Sequence, residues 1–553
     1  MRGYSGNSAF GGLDARKAAQ EGTIHDMRGL TSAFLPAAAT REKRRYISDR
    51  YQNLQGIYFG DRVYYCADNQ FFDDGTPVTT VTEGEKSMVV LGDYLYIYPD
   101  KIKYKTRTKG LTKLDDATVS VTHGGSGNTV PTSSMYFVKR QENPDTGVTE
   151  YNNTIFVDEN NSDKIKFKVG DIVWILDEDE GIVFTGKLLY KKKDQHLNLL
   201  LIFADGAFND IWGSDIHDTH MIPFTIKYAI PPNFKFVFSA NNRLWGARNR
   251  ELFASALGQG DVWMDYDTLT TSSWTAETEV GDTITGGVSF SGTPVFFAEN
   301  AIYKVFGDNA KNFEYAKSVF PGVMEGEQKS IVEAGGYLYY LSRVGVCAYT
   351  GGIPEIISKP LGEGVIRNGV GGSDGVYYYL SADVGNSHAL YYFDAKNRCW
   401  IKDSTEDAAY IGLNGKNLLC INKNGVCFTL QKTWDDVGTE EKEVEFFLEM
   451  KEYYDGSPNR KHANRILLRM ETEGYVDGAV LVSYDDEEWV AVGDIKSTYG
   501  KILTFVYPLG NHRYDNMRIK IEGKTDGRVL IYSLIRDTKQ VGERPGGDRN
   551  VYV

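Results

Sequence analysis

The sequence predicts an all-β protein built mainly as a β-propeller, and three observations support this prediction. Glycine (58 residues) and tyrosine (36 residues) are both abundant, which favours short strands joined by tight turns. A turn led by Gly, Asn or Asp, a strand that is apolar or aromatic, a second turn and a second strand recur seven times along the chain. The copies align on Val63, Leu95, Leu244, Val295, Leu338, Tyr377 and Leu418, and the last four steps are 51, 43, 39 and 41 residues. Hairpin repeats of about 40–50 residues are typical of propellers, so we predict about seven irregular blades.

The chain begins with a segment that lacks this repeat. Residues 1–50 are rich in Gly, Ala and charged residues, and we expect an N-terminal arm with one short helix near 14–20. The basic run at 41–45 is interpreted either as a solvated turn or as an interaction site. Residues 51–107 hold the first two repeats and therefore the first part of the propeller.

An inserted domain is expected next, because Leu95 and Leu244 are 149 residues apart. One ordinary repeat accounts for only part of that distance and leaves roughly 100 residues. The glycine-rich loop at 124–128 is followed by strand patterns at 167–175, 183–190 and 198–203. We predict a small β-barrel, similar to SH3 or OB barrels, over residues 108–230.

The rest of the propeller is predicted over residues 231–433, where the repeats run without interruption. The rhythm then changes to longer strands separated by turns, which predicts a C-terminal β-sandwich over 434–541. Residues 542–553 are expected to form a tail. The strand patterns of the sandwich lie at 444–450, 465–470, 479–484, 502–507 and 517–521.

Composition and charge narrow the range of functions. The net charge of −14 argues against a nucleic-acid-binding surface, which needs clustered Lys and Arg. The five cysteines form no C-x-x-C pair, so we expect buried free thiols and assembly in a reducing compartment. No signal peptide is apparent at the N-terminus, and the longest apolar run, 199–203, is too short to span a membrane.

Several motifs resemble sites of chemistry without completing them. Residues 181–188 fit G-x-x-x-x-G-K, but Leu188 stands where a phosphate loop needs Ser or Thr. The acidic stretch 177–181 has its glycine one position too early for a calcium loop, so we interpret it as a hairpin tip. His217 and His220 are three residues apart without a third ligand cluster, and we favour solvated loop histidines over zinc ligands.

The stretch 483–489 resembles the Asp box of sialidases but lacks its glycine, and we expect a hairpin with Trp489 on the sandwich. Arg243, Trp245 and Trp263 are interpreted as residues that pack the repeats. The sequence contains no nucleophile elbow, zinc-protease motif or dinucleotide fingerprint. We therefore assign no catalytic, cofactor-binding or metal-binding residue, and we predict that the protein is not an enzyme and has no cofactor.

Three segments together resemble a known family. They are the opening stretch with Phe10-Gly11-Gly12-Leu13-Asp14 and residues 22–32, the segment 242–258 with Val262-Trp263, and the end at 514–523 with Ile531-Tyr532-Ser533-Leu534. In these segments the chain resembles the tail hub, nozzle or tail-stabilisation proteins of short-tailed bacteriophages. The resemblance covers the arm, the propeller and the sandwich, and it does not extend to the inserted domain.

This resemblance implies a structural protein of the virion tail that is assembled in the cytoplasm of the host bacterium. Such proteins form homo-oligomeric rings, usually hexamers, below the portal and its adaptor ring. They extend or close the DNA channel and anchor fibres or spikes, so DNA would pass through during ejection without specific binding. An acidic chain suits a conduit of this kind, and an arm, an insertion and a C-terminal domain could supply the interfaces of a ring.

Two alternatives remain open from the sequence. A receptor-binding or tail-fibre protein would use the propeller loops and the sandwich to bind host surface glycans. A propeller enzyme that degrades polysaccharide would need a pair of central carboxylates, and none is singled out among the 75 acidic residues.

Overall fold

The computed structural model is all-β, with no α-helix among the residues it describes. Two short 3-10 helices, Gln328–Ser330 and Lys359–Leu361, accompany the strands. The described residues are 2–114, 135–138, 154–157, 169, 172–176, 182–193, 199–203, 225–228, 231–263, 270–430, 441–455 and 460–540. The predicted all-β class is therefore confirmed for this part of the chain.

Seven four-stranded antiparallel sheets make up much of the structure. In six of them the four strands follow one another in the chain, and in the seventh the outer strand, Tyr46–Ser48, comes from the N-terminal segment. The first three are β6(Leu54–Phe59)-β7(Val63–Ala67)-β8(Gln70–Asp73)-β9(Thr76–Thr80), β10(Ser87–Leu91)-β11(Tyr94–Tyr98)-β12(Ile102–Lys105)-β13(Gly110–Lys113) and β20(Val237–Ala240)-β21(Arg243–Arg248)-β22(Glu251–Ala254)-β23(Trp274–Glu277). The next two are β24(Ile284–Phe290)-β25(Thr293–Ala298)-β26(Ala301–Phe306)-β27(Glu314–Ser318) and β28(Val332–Ala334)-β29(Tyr337–Ser342)-β30(Gly345–Tyr349)-β31(Glu355–Ile356). The last two are β32(Ile366–Ser373)-β33(Tyr377–Val384)-β34(Ser387–Asp394)-β35(Cys399–Ser404) and β36(Ala408–Asn414)-β37(Asn417–Asn422)-β38(Cys427–Thr429)-β5(Tyr46–Ser48).

The seven aligned repeat positions fall at equivalent places in these sheets. Each lies in the second strand, from Val63 in β7 to Leu418 in β37. All but Tyr377 are buried, because the second strand of each sheet is covered on both faces. The repeat found in the sequence therefore corresponds to one sheet per copy.

The chain divides into two compact units, Gln55–Tyr58 with Thr80–Val319, and Met1–Leu54 with Phe59–Thr79 and Phe320–Val553. The first of these contains the sheets β10–β13, β20–β23 and β24–β27. Its core is aromatic, and the indole of Trp263 contacts the rings of Tyr98 and Phe234. We call it the middle unit and the other the terminal unit.

The middle unit also holds the strands of the inserted segment. They form one antiparallel sheet in the order β14(Met135–Val138)-β15(Thr154–Val157)-β18(Leu199–Phe203)-β17(Ile182–Lys193)-β16(Ile172–Leu176)-β19(Thr225–Tyr228). A small barrel at 108–230 stays a prediction. Its proposed start differs from the structure, because β13 pairs with β12 and so belongs to the preceding four-stranded sheet.

The terminal unit contains a β-sandwich in addition to its four-stranded sheets. One sheet has the order β3(Leu30–Thr31)-β4(Ala38–Thr40)-β45(Val529–Gln540)-β40(Lys461–Thr472)-β43(Leu503–Pro508), and β1(Arg2–Asn7) also pairs with β45. The other has the order β2(Ile24–Arg28)-β39(Val444–Met450)-β44(Met517–Thr525)-β41(Val476–Tyr484)-β42(Val490–Ile495). Alternate residues of β39 are buried, as in a strand with one face on a core. Inward residues of the two sheets share one hydrophobic cluster.

The predicted N-terminal arm at 1–50 is wrong, because this segment is built into three sheets. Strand β1 pairs with β45, β2 pairs with β39, and β5 pairs with β38. Phe10, Leu13 and Met27 are buried in the core. The strands are only two to six residues long, and apart from the β3–β4 pair their partners are distant in sequence, so the segment shows no local periodicity.

The expected helix at 14–20 is also absent from this described segment. The segment instead contains a turn, in which the N–H of Ala19 donates to Arg16, and the N–H groups of Asp14 and Ala15 donate to the carbonyl oxygens of Ile24 and Pro360. The basic run at 41–45 is not a solvated turn, since Arg41 and Arg44 are both buried. Arg44 pairs with the fully buried Asp403, and its guanidinium lies over the ring of Phe428.

The cysteines agree with the sequence prediction. All five are free thiols, and Cys66, Cys347, Cys420 and Cys427 are buried. Burial raises the pKa of Cys427 to about 12, so this thiol stays protonated and unreactive.

Candidate functional site

A polar cluster lies at one end of the sheet β32–β35, where hairpin geometry brings together three residue types of catalytic chemistry. Strand β33 supplies Ser381 and Asp383, which share one face because they are two residues apart. Strand β34 supplies His388, which is directly opposite Asp383 across the hairpin. We call these residues, with Asn368 and Asp407, the Ser381 cluster.

The imidazole of His388 is held at both ring nitrogens. Its Nδ1 lies 2.6 Å from Oδ1 of Asp383, and its Nε2 lies 2.9 Å from Oγ of Ser381. The hydrogen bond from Asn368, with those from His388, keeps the pKa of Asp383 below its usual range although burial opposes this. Asp383 therefore accepts from Nδ1–H of His388, and Nε2 shares a second hydrogen bond with the Ser381 hydroxyl.

This order of hydroxyl, imidazole and carboxylate is the arrangement that activates a nucleophile. The surroundings of Ser381 give it another role. The side chain is fully buried, and Oγ accepts the backbone N–H of Ala408 at 3.0 Å. Its acceptor capacity thus holds the start of β36, which belongs to the next four-stranded sheet. The three side chains form a brace between the hairpin β33–β34 and that strand.

The brace continues through charged groups on the loop before β36. Oδ1 of Asp407 lies 3.4 Å from Nε2 of His388, and its Oδ2 lies 2.8 Å from Nζ of Lys423. The amide of Asn422 donates to the carboxylate of Glu406 at 3.1 Å. The cluster therefore links two neighbouring sheets of the terminal unit by hydrogen bonds and ion pairs.

On its other side the cluster reaches the segment before β28. Asn368, with a positive φ of 56°, turns two consecutive backbone N–H groups toward the carboxylate of Glu327. The distances are 2.8 Å from Asn368 and 2.6 Å from Gly369. The Asn368 side chain donates in turn to Asp383 at 2.7 Å. Burial raises the pKa of Glu327, although the two N–H groups oppose the shift.

The first strands of these sheets are packed closely and carry little charge. A Cβ on Gly371 would lie 2.7 Å from Val332, and one on Gly372 would lie 2.2 Å from Ile411. In the seven first strands (β6, β10, β20, β24, β28, β32 and β36), Glu333 and Arg367 are the only charged residues. The acidic charge of the chain therefore lies outside these strands.

The residues interpreted from the sequence as packing residues do pack. Arg243 is buried and donates to the carbonyl oxygens of Ser255, Ser272 and Thr270. The indole N–H of Trp245 donates to the Ala240 carbonyl, and that of Trp263 donates to the Tyr98 hydroxyl. These contacts satisfy the polar ends of large side chains inside the sheet, which confirms the interpretation.

Among the motifs with incomplete chemistry, the stretch 181–188 runs into the strand β17 rather than a helix. Residues 483–489 form the hairpin between β41 and β42, and Arg518 lies over the Trp489 ring. The acidic stretch 177–181 and the pair His217 and His220 lie outside the described residues.

Sequence reasoning missed the Ser381 cluster. A signal was present, because Ser-x-Asp followed by a turn and by His five residues after the Asp places all three side chains together on a hairpin. Within the described residues no group of three or more His, Cys, Asp or Glu is placed to hold a metal ion. The described part also contains no helix long and apolar enough to cross a membrane.

No protein-family model matches the chain, and neither does any curated protein. An exo-β-1,3-galactanase from Phanerochaete chrysosporium, solved with galactose, is similar over 54% of this chain and 95% of its own, at 10% identity and a TM-score of 0.22. A family 29 carbohydrate binding module from Piromyces equi is similar over 23% of this chain and 73% of its own, at 14% identity and a TM-score of 0.14. Likenesses this slight carry no argument about function.

Proposed function

We propose that the chain is a structural protein of a virion tail, in which the seven four-stranded sheets are the blades of one propeller. Six copies of the chain form a ring below the portal and its adaptor ring. The ring extends or closes the DNA channel and anchors fibres or spikes. Its place is the tail of a virion assembled in a bacterial cytoplasm.

The way the two ends of the chain are tied together carries this proposal. Within the terminal unit, strands from residues 2–48 pair with strands from residues 427–540 in three sheets. A bidentate pair of Arg536 with Asp455, at 2.9 and 3.2 Å, adds to this clasp, and Arg536 also donates to Ser5. Joining the ends in this way resists pulling and shear, which suits a component that transmits force rather than one that turns over substrate.

The Ser381 cluster supports the same role. Its hydroxyl and carboxylates are engaged in holding neighbouring sheets, and Ser381 is fully buried. Chemistry at this hydroxyl would require the brace to open, whereas a structural role uses it as it stands.

The charge distribution favours a particular path for DNA. First strands that touch through glycines leave little space between them, and they carry almost none of the acidic residues. DNA would therefore pass through a channel formed between copies of the chain, bounded by outer surfaces that carry the net charge of −14. Passage along such a wall needs no specific binding.

Imaging of the purified chain tests the proposal. Negative-stain micrographs and mass photometry are recorded for the chain alone and with portal, adaptor and spike components. Rings of about six copies that dock on the adaptor are expected. A Ser381→Ala variant is expected to form the same rings, since the proposal gives this hydroxyl no reacting partner.

Two outcomes would contradict the proposal. A monomer or trimer that ignores the tail components and binds cells or glycans would identify a receptor-binding protein. Hydrolysis of a polysaccharide that is lost in the folded Ser381→Ala variant would identify an enzyme.

A further inference from the structure

Strand β43 is an edge strand of the sandwich. It pairs with β40 on one side, from Met470 opposite Leu503 to Arg465 opposite Pro508, and no other described strand pairs with it. Its outer row of backbone N–H and C=O groups is therefore open to another extended chain. Addition of a strand to such an edge is a common mode of peptide recognition.

Apolar side chains accompany this open edge. Ile502 is 49% exposed, Leu503 43% and Val506 49%. Val506 is directly opposite the half-buried Leu467, which is in turn opposite Ile535, so an apolar row runs across the sheet to the edge. Phe505 and Tyr507 alternate with Val506 and point into the sandwich, where Tyr507 is buried. Leu503 lies on their face, opposite the buried Met470, and is exposed because it stands at the start of the edge strand.

The edge lacks the features that usually prevent strand addition. Natural edges are shortened, bulged, charged or interrupted by proline. Strand β43 is six residues long, its register with β40 is continuous, and its one proline, Pro508, is the last residue. None of its six side chains is charged.

Positive charge flanks the apolar residues. Arg469 lies opposite Thr504 and is exposed, and Lys501 is exposed just before the strand. Neither side chain forms an ion pair with a described residue, whereas Arg465 is paired with Asp537. Glu471, two residues further along β40, accepts from the Tyr532 hydroxyl. Arg469 and Lys501 are therefore two cations beside an apolar edge that have no ion-pair partner among the described residues, in a chain whose net charge is −14.

We propose that β43 is a docking site for an extended segment of a partner protein that carries both β-branched residues and carboxylates on one face, at every second position. The backbone of that segment would pair with the open edge and extend the sheet by one strand. Its β-branched side chains would cover Val506 and Leu467, and its carboxylates would pair with Arg469 and Lys501. This site does not depend on the proposed ring, since one copy of the chain is sufficient to form it.

The test uses the full chain and two labelled peptides with Thr at every second position. Between the threonines one peptide carries Val and Glu in turn, and the other carries Val and Lys in turn, so that both residue types share one face of the strand. Fluorescence anisotropy is expected to show binding of the acidic peptide and about tenfold weaker binding of the basic one. Arg469→Glu should weaken the acidic peptide by about tenfold and strengthen the basic one, while Arg469→Lys should retain the preference. Val506→Asp should abolish binding of the acidic peptide.

Val376→Asp is the matched control, because Val376 is 61% exposed in a turn of a different sheet, and it should bind as the unchanged chain does. Circular dichroism and thermal melting establish that each variant is folded. If Val506→Asp unfolds, the test rests on Arg469→Glu and Arg469→Lys, which change an exposed side chain.

Three results would overturn the proposal. One is that neither peptide binds the full chain. Another is that both peptides bind equally and Arg469→Glu changes neither affinity. The third is concentration-dependent dimerisation by light scattering that Val506→Asp removes, which would assign the edge to a second copy of this chain.

Discussion

Single side chains with reactive chemistry serve as braces in the terminal unit. Ser381 joins the imidazole of His388 to the backbone of Ala408, and Arg44 neutralises a carboxylate that has no access to water. Buried polar groups of this kind are costly to disrupt, because the partner that remains loses both its hydrogen bond and its hydration.

Ser381→Ala is expected to destabilise the chain by about 1–3 kcal/mol, because the N–H of Ala408 then lacks an acceptor. Urea unfolding monitored by tryptophan fluorescence measures the change. The control is Ser387→Ala in the same hairpin, where the side chain is exposed and the expected change is below about 0.5 kcal/mol. Equal effects of the two substitutions would show that Ser381 is not a brace.

Arg44→Ala is expected to cost about 3–5 kcal/mol, because it removes the cation that pairs with the fully buried carboxylate of Asp403. Lys17→Ala, which removes a pair between exposed Lys17 and Glu363, should cost less than about 1 kcal/mol. Replacing both partners, as Arg44→Met with Asp403→Leu, should recover much of the loss. If the double variant is no more stable than Arg44→Ala in urea unfolding, the charge that remains on Asp403 is not the cause of the loss of stability.

At the scale of strands and sheets, glycines set the distance between first strands. Gly372 faces Ile411 on β36, and Gly412 faces the ring of Phe59. Neither position has room for a side chain, so the spacing of the sheets in the terminal unit depends on both residues.

Gly372→Ala is therefore expected to destabilise by about 1–3 kcal/mol through overpacking against Ile411. Gly352→Ala is the control, because no atom lies within 4 Å of the added carbon there. Thermal unfolding by calorimetry measures both. A neutral Gly372→Ala would mean that β36 can move away without cost.

The strands were predictable from the sequence to very different degrees. The repeats were visible in the sequence because Leu95, Leu338 and the other aligned residues lie near the start of strands whose pairing partners are close in sequence. Strands β1–β5 were missed because each is short and all but β3, which pairs with β4, pair with residues hundreds of positions away. The Ser381 cluster was also missed, because its role depends on Ala408 and Asp407, which only the neighbouring strand brings near.

At the scale of the whole molecule, the partly buried carboxylate of Glu441 and the buried carboxylate of Glu327 make stability depend on pH in opposite directions. Burial opposes ionisation of Glu441, but hydrogen bonds from Arg41, at 2.5 and 2.8 Å, hold its pKa below the usual 4.5. Its contribution is therefore present above pH 4.5 and is lost as the pH falls through the folded pKa. Glu327 has a raised pKa, so the folded state binds its proton more readily, and its contribution declines as the pH rises above 4.5.

Comparison of two variants separates these contributions. The stability difference between the unchanged chain and Glu441→Gln should shrink between neutral pH and about pH 3, because the carboxylate is then protonated. For Glu327→Gln the unchanged chain should gain relative to the variant over the same interval. Urea titrations at several pH values measure both, and slopes of the same sign would contradict the assignment.

The strand β5 also has a consequence for synthesis on the ribosome. Arg45 just before it donates to Thr429, 384 residues later in the chain. At about 5–20 residues per second, the N-terminal strands wait roughly 20–80 seconds after they emerge before this partner exists. During that time Phe10, Leu13 and Met27 have no core to enter. Nascent chains of this protein should therefore be long-lived clients of chaperones, and their middle unit should become resistant to protease before either terminus does.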